Sequence, residues 1–302
     1  MSEINFHRLF IFHTVARLGS FTRAASELGI SQPAVSIQVK ELERSLDTTL
    51  LIRMRSGVSL TDTGETVYDY TRRIFTLADE MTNAIQDLTG LESGRLTIGS
   101  STTPGEYILP FAIGKFRERY PKVEVSLAIS NTRNVIDQIL SRELDLGMAG
   151  APVDIRGLAS FLYVNDEVVL VTAPTHPLAR RRSLKVQDVV DEAFLMRETG
   201  SATRRAAEEH FSSMGARVRV VMELGSNEAV KRAASAELGV GVVSKFSVGP
   251  DVAAGYLKVL SVQGWRCERP LTVFYRDDTH ISAVQRAFLS VLRVDKPLPP
   301  AI

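Results

Sequence analysis

Residues 16–46, ARLGSFTRAASELGISQPAVSIQVKELERSL, read as two short amphipathic helices around a four-residue turn. Ala24, Ala25 and Leu28 put small and apolar groups on one face of the first helix, and Gly29 lets the chain turn. Ser31 stands at the N-cap of the second helix, with Pro33 in its first turn and Ala34 behind it. Val35, Val39, Leu42 and Leu46 recur at spacings of four, three and four and form a buried stripe. The other face is expected to carry Gln32, Ser36, Gln38 and Lys40. Gln can bond adenine N6 and N7 in pairs, Ser serves either base type, and Lys meets guanine or phosphate. This is the layout of a DNA-reading helix-turn-helix, although a solvated helical hairpin would look the same up to this point.

Residues 50–60 favour the DNA reader. Leu50, Leu51 and Ile52 make an apolar run, and Arg53, Arg55 and Ser56-Gly57 lead to Val58-Ser59-Leu60. The pattern predicts two short strands around a basic turn, a wing able to reach the phosphate backbone.

With the wing in place, the sequence resembles the LysR-type transcriptional regulators over essentially its whole length. The match rests on Phe10, on Gly19-Ser20-Phe21, on Ala24-Ala25, on Ser31 to Ser36, and on Leu42-Glu43. Three positions depart from the family pattern. Asp47 replaces a usual Gly, which is mild because Asp tolerates a left-handed turn. Leu51 replaces a usual Phe, and Ser56 stands at the usual second wing Arg, with Arg55 one place earlier.

Length and charge agree with this. The chain has 302 residues, 44% hydrophobic, with a net charge of +1, enough for two or three domains but far from a histone-like charge. Within residues 1–60, seven basic against five acidic side chains leave +2. Double-stranded DNA must then be bound by arrangement and two-fold repetition of the module rather than by bulk charge. Cys267 is the sole cysteine and the five histidines are scattered, so no disulfide, metal site or cofactor is expected, and the thiol reads as a small buried filler. No apolar run approaches a membrane span, and a cytoplasmic location is expected.

Residues 62–91 hold the strongest periodicity. Val67, Tyr70, Ile74, Leu77, Met81, Ala84 and Leu88 alternate spacings of three and four, the pattern of a coiled-coil seam, while one long helix packed on its own domain is the other reading. The family resemblance implies that this linker pairs with that of a second subunit. It further implies two reading heads on a pseudo-palindromic operator, a homotetramer, and an activator that touches RNA polymerase.

From residue 95 strands alternate with capped helices, which predicts a doubly wound α/β layer with ligands at the strands' C-terminal ends. The expected plan is a winged helix-turn-helix (1–61), a linker helix (62–91) and a two-subdomain, periplasmic-binding-protein-like effector domain (92–302). Subdomain I is 92–164 with 267–302 and subdomain II is 165–266, joined by crossover strands near 164–167 and 264–269. Ser100, Ser101, Thr102 and Thr103, and Thr199, Ser201 and Thr203, place clustered hydroxyls at two helix N-termini. Asn131, Thr132 and Gly150 lie at further strand ends. Such ends favour an anion without needing a lysine.

Within the family, the stretches SSTTPGEYILP, NTRNVIDQIL, ELDLG, RETGSATR and ELGSNEAVKRA resemble the branch concerned with cysteine biosynthesis and sulfite response, which implies sulfite or sulfate as effector. Gly239-Val240-Gly241 lacks the third glycine of a dinucleotide fingerprint, and no catalytic constellation is visible, so an enzyme is not expected. Arg180-Arg181-Arg182 reads as a solvated face. A solute-binding receptor without a DNA role is the competing class.

Overall fold

The first helix, α1 (Phe6–Leu18), is capped by Asn5, and α2 (Phe21–Leu28) ends at Gly29, whose φ of +65° makes the left-handed turn. Ser31 caps α3 (Gln32–Ser45) by accepting from Ala34 N at 3.3 Å. Val35, Val39 and Leu42 are buried against Ile11, Phe12 and Val15 of α1, forming the first core. Asp47 takes a φ of +50°, so the replacement for glycine does adopt the left-handed turn.

The computed structural model describes residues 4–54, 57–89, 94–277 and 281–294, without the side chains of Arg53 and residues 79–80 and 82–89. Strands β1 (Leu51–Met54) and β2 (Gly57–Leu60) pair antiparallel with Leu51 opposite Leu60. Glu43 Oε1 accepts from the amides of Leu50 and Leu51 at 2.8 and 3.2 Å, and Val58 N donates to Gly19 O at 3.1 Å. These bonds clamp the wing to α3 and to the α1–α2 turn. Helix α4 (Asp62–Thr89) starts behind Thr61, whose hydroxyl accepts from Gly64 N at 2.9 Å.

The chain forms two compact units, Met1–Ile85 with Ser141–Glu143, and Gln86–Leu140 with Leu144–Ile302. The second unit runs β3 (Gly94–Ser100), α5 (Thr102–Tyr107), α6 (Leu109–Arg119), β4 (Val123–Ile129), α7 (Thr132–Leu140), β5 (Leu146–Ala149) and β6 (Leu158–Thr172). It continues with β7 (Ala193–Arg197), α8 (Ala202–Ser213), β8 (Arg219–Leu224), α9 (Asn227–Ser235) and β9 (Val240–Ser244). After these come α10 (Gly249–Ala253), β10 (Lys258–Val259), β11 (Cys267–Arg276) and α11 (Ala283–Val294). Between Thr102 and Arg119 the chain forms two helices rather than one. Pro110, in the first turn of α6, lacks the amide that would continue α5, and Ile108 leaves helical geometry before it.

The strand order is β4-β3-β5-β11-β6-β9-β7-β8, with β10 beside β6. Each end is parallel, β4-β3-β5 and β9-β7-β8, as crossover helices require. Between them β6 and β11 run antiparallel over the whole of β11, from Leu158 opposite Arg276 to Val168 opposite Cys267. The crossover strands are therefore two long, mutually paired strands belonging to both subdomains, where short links were expected. Subdomain I has its core around Ile98, Phe116, Leu271 and Phe288, and subdomain II around Phe194, Phe211 and Val240. Cys267 is buried in the latter, its thiol pushed up to about 12 chiefly by burial, so it is an inert filler.

Candidate functional site

In the first unit, the helix α3 carries the candidate reading surface. Its stripe of Val35, Val39 and Leu42 faces inward, so residues about half a helical turn away point out. Those are Pro33, Ile37 and Lys40, all exposed, with Ile37 at 58%. Gln32, Ser36 and Gln38 were expected on that outer face, but they flank the stripe and are half-buried. The reason is angular, since positions three residues before or after a buried residue lie beside it rather than behind it. Ser31 is exposed and spends its oxygen on the cap, and Ala34 is half-buried. Ile37 was missed, although the same wheel would have found it. Arg55 and the side chain of Arg53 lie outside the described residues.

The predicted linker stripe divides. Val67, together with Tyr68 and Phe75, packs on the first unit's own core, so it is not part of a free seam. Tyr70, Leu77 and Met81 are exposed at 59%, 62% and 62%, with Ile74 between them; the side chain of Leu88 lies outside the described residues. At the α1–α4 contact, His13 stacks on Tyr68 with ring centroids 5.1 Å apart. The Thr71 hydroxyl donates to Tyr68 O, leaving its oxygen to accept from His13 Nδ1 at 3.1 Å. Burial, then the positive charges of Arg17 and Arg72, push the His13 pKa down to about 4.

In the second unit, the strand ends converge where expected, on a small cavity of about 30 Å³. Ser101, Thr102, Thr103, Asn131, Thr132, Ser201 and Thr203 all line it. The N-termini of α7 and α8 point toward it, and the Ser201 hydroxyl makes no cap bond. Ser101 Oγ accepts from Gly150 N at 3.2 Å, and Asn131 Oδ1 caps Asn134 N at 2.8 Å.

Three expected residues fall elsewhere. Ser100 is fully buried and donates to Met148 O at 3.1 Å, tying β3 to β5. Thr199 is exposed and donates to Glu223 at 3.3 Å. Gly150 lines a wider neighbouring recess of about 390 Å³. Its role there is space, because a Cβ would stand 2.7 Å from Nη1 of Arg269.

The cavity is not lined by hydroxyls alone, because two guanidinium groups outside the sequence-based expectation, Arg197 and Arg269, also line it. Arg197, at the end of β7, is 4% exposed; it grips Glu198 with two bonds of 2.8 Å and donates to Thr102 Oγ1 at 3.2 Å. Arg269 of β11 is 6% exposed, and its strand register sets it directly opposite Asp166 of β6. Bonds of 2.8 and 2.7 Å join Arg269 to Asp166, and a third of 3.0 Å reaches Thr103 Oγ1. Asp166 also accepts from Ser244 at 2.7 Å, and Asn227 Nδ2 donates to Thr103 at 3.1 Å. Burial pushes the Asp166 carboxyl upward, while the Arg269 charge and the Ser244 bond oppose the shift. The network joins both subdomains behind the cavity. One signal was available in the sequence, since Arg269 interrupts the alternation of Cys267, Leu271 and Val273 on one face of a strand.

Residues 6–65 match the lysR family of bacterial regulatory helix-turn-helix proteins, and residues 89–295 match the LysR substrate binding domain. The HTH-type transcriptional activator CmpR of Synechocystis sp. (strain ATCC 27184 / PCC 6803 / Kazusa) is 33% identical over 97% of this chain and 96% of its own. The RuBisCO operon transcriptional regulator of Allochromatium vinosum is 33% identical over 95% of this chain and 94% of its own. Among solved structures, the Synechocystis PCC6803 CcmR regulatory domain in complex with 2-PG is 31% identical, with a TM-score of 0.64, over 69% of this chain and 100% of that one. Full-length CbnR with its target DNA shares the fold, with a TM-score of 0.73 at 21% identity over 96% of this chain and 99% of that one.

These relatives correct the placement in the cysteine and sulfite branch, and with it the ground for sulfite or sulfate. Three of the stretches that suggested it, SSTTPGEYILP, NTRNVIDQIL and RETGSATR, supply helix starts and strand ends that line the cavity, a feature of the architecture rather than of one effector. On both halves of its sequence, this chain belongs to the LysR family of bacterial helix-turn-helix regulators.

Proposed function

We propose that the chain is a transcriptional activator that reads a pseudo-palindromic operator as a dimer or homotetramer, contacts RNA polymerase, works in the cytoplasm, and responds to a small organic anion held between its two subdomains. The division of labour assigns 1–61 to DNA, 62–91 to dimerisation and 92–302 to the effector. The observation that carries the effector reading is the pair of buried guanidinium groups, Arg197 and Arg269, beside the N-termini of α7 and α8. Such a setting suits a ligand with two anionic heads. A compound carrying both a phosphate and a carboxylate fits, and the CcmR relative is named with one, 2-PG, that is 2-phosphoglycolate.

Glu198 already holds Arg197 and is itself 39% exposed, so an incoming carboxylate would compete with a side chain free to swing out. Ser101, Thr102, Asn131, Thr132, Ser201 and Thr203 would then bond the other head. Binding shifts the protein's state only through its different affinity for the open and closed arrangements. On the DNA side, Pro33, Ile37 and Lys40 would face the groove, with Gln32, Ser36 and Gln38 at its edges and the Arg53–Arg55 wing on phosphate. Ile37 suits a thymine methyl.

Calorimetry of the full chain with 2-phosphoglycolate tests the effector. We expect saturable heat that Arg197→Met abolishes, and an effector-dependent change in mobility of fragments upstream of neighbouring genes. No heat and no melting shift at millimolar ligand would overturn the reading.

A further inference from the structure

Subdomain II carries a second groove that shares no lining residue with the cleft described above. It has a volume of about 570 Å³, within the range of small-molecule sites. Leu178, Leu260 and Val262 are buried apolar residues along it, and Trp265 stands at its side. The arginine run, read from sequence as a solvated face, belongs to its rim together with Lys245 and Lys258.

Two of these five cations are neutralised. Arg181 pairs with Asp188 at 3.0 Å and Lys245 with Glu167 at 2.9 Å. Arg180, Arg182 and Lys258 have no ion pair or hydrogen bond among the described residues. They come from two separate segments, the turn Pro177–Arg180 with its continuation and the strand β10. The frame holding them is braced by backbone bonds. Leu184 N donates to Ser261 O at 2.9 Å, Gln263 N to Leu184 O at 2.7 Å, and Leu260 N to Leu170 O at 2.8 Å. Three like charges kept around one concavity repel each other, and an anion seated among them relieves that repulsion.

We propose that this groove is a second ligand site, taking a small organic anion with a phosphate or carboxylate head on an apolar body. The head would meet Arg180, Arg182 and Lys258, and the body would lie on the apolar floor beside Trp265. A concave, apolar-floored recess suits such a molecule better than a nucleic acid backbone, which needs charge along a track.

Trp265 is the sole tryptophan of the chain, so its emission is the readout. The full chain is titrated with phenyl phosphate and, separately, inorganic phosphate. The expected result is a saturable change with phenyl phosphate, with clearly weaker binding of inorganic phosphate. In the variant Arg180→Ala/Arg182→Ala/Lys258→Ala, whose three side chains are exposed, affinity for phenyl phosphate should fall about tenfold or more. Arg182→Glu alone should act in the same direction, and Arg197→Met in the cleft should leave the titration unchanged.

Failure of the cleft reading leaves this site standing, because the two depend on different variants. The proposal is overturned by no saturable change, by equal affinity in the triple variant, by equal binding of inorganic phosphate, or by loss of the response in Arg197→Met. It is also overturned if the triple variant keeps phenyl phosphate binding and loses only affinity for random-sequence duplex, which would assign the groove to DNA.

Discussion

Replacing Arg269 by Met would strip the buried Asp166 of both its charge-assisted bonds while roughly keeping the side chain's length. Asp166 is fully buried and would retain only the Ser244 hydroxyl, and Thr103 would keep only Asn227. Breaking a buried pair by removing one partner costs about 3–5 kcal/mol, because a desolvated charge is left behind. Partial relief comes from protonation, as burial already pushes the Asp166 carboxyl upward, so we expect about 3 kcal/mol at neutral pH. Urea unfolding followed by Trp265 emission reports on subdomain II, and with a slope of about 2–3 kcal/mol per M the midpoint should fall by about 1 M or more. The double variant Arg269→Met/Asp166→Leu replaces the pair by apolar volume and should recover most of the loss. A single variant costing under about 1 kcal/mol, or a double variant no more stable than the single, would refute the idea that this pair anchors the crossover strands.

Other contacts give further expected outcomes. His13, held at about 4 against an ordinary 6.5, is neutral when folded, so the DNA-binding unit should be fully stable above pH 6.5 and lose stability as pH falls from 6.5 toward 4. The loss is at most about 3 kcal/mol, and His13→Phe should remove this acid step from a melting series; an unchanged pH profile would count against it. Gly150→Ala puts a Cβ 2.7 Å from the Arg269 guanidinium and should cost about 1–3 kcal/mol, with effector affinity reduced; a wild-type melting temperature would contradict the close fit. Ile37→Ala should weaken specific operator binding by about 1 kcal/mol and leave the salt slope unchanged, whereas equal loss on every duplex in mobility-shift titrations would exclude base contact. Leu77→Glu, at a position 62% exposed, should lower the dimer population in analytical ultracentrifugation without destabilising the first unit.

The features readable from sequence were those with a local cause. The stripe of Val35, Val39 and Leu42, the cap at Ser31, the turn at Gly29 and the wing pair each depend on residues a few positions apart, where helix period and capping chemistry act directly. The hydroxyls at the starts of α5, α7 and α8 were legible for the same reason. Val67 shows the limit, because heptad spacing places it on the seam but cannot reveal that it packs on the first unit's own core. Gln32, Ser36 and Gln38 were legible as polar, and the helical period counted from Val35, Val39 and Leu42 already sets them beside the stripe.

The identity of the two halves as a helix-turn-helix unit and a substrate-binding-type domain of the LysR family was thus determined by the chain's own order of residues. Which cations line the cleft was decided in three dimensions. Arg269 meets Asp166, over a hundred positions away in sequence, only because β6 and β11 pair in this register, and Arg197 at the end of β7 reaches Thr102 beyond β3 only because β6 and β11 join the two parallel sections into one sheet. A charge buried at such a junction is tolerable solely through its partner. That partner is chosen by strand pairing, which side-chain spacing along the chain does not encode.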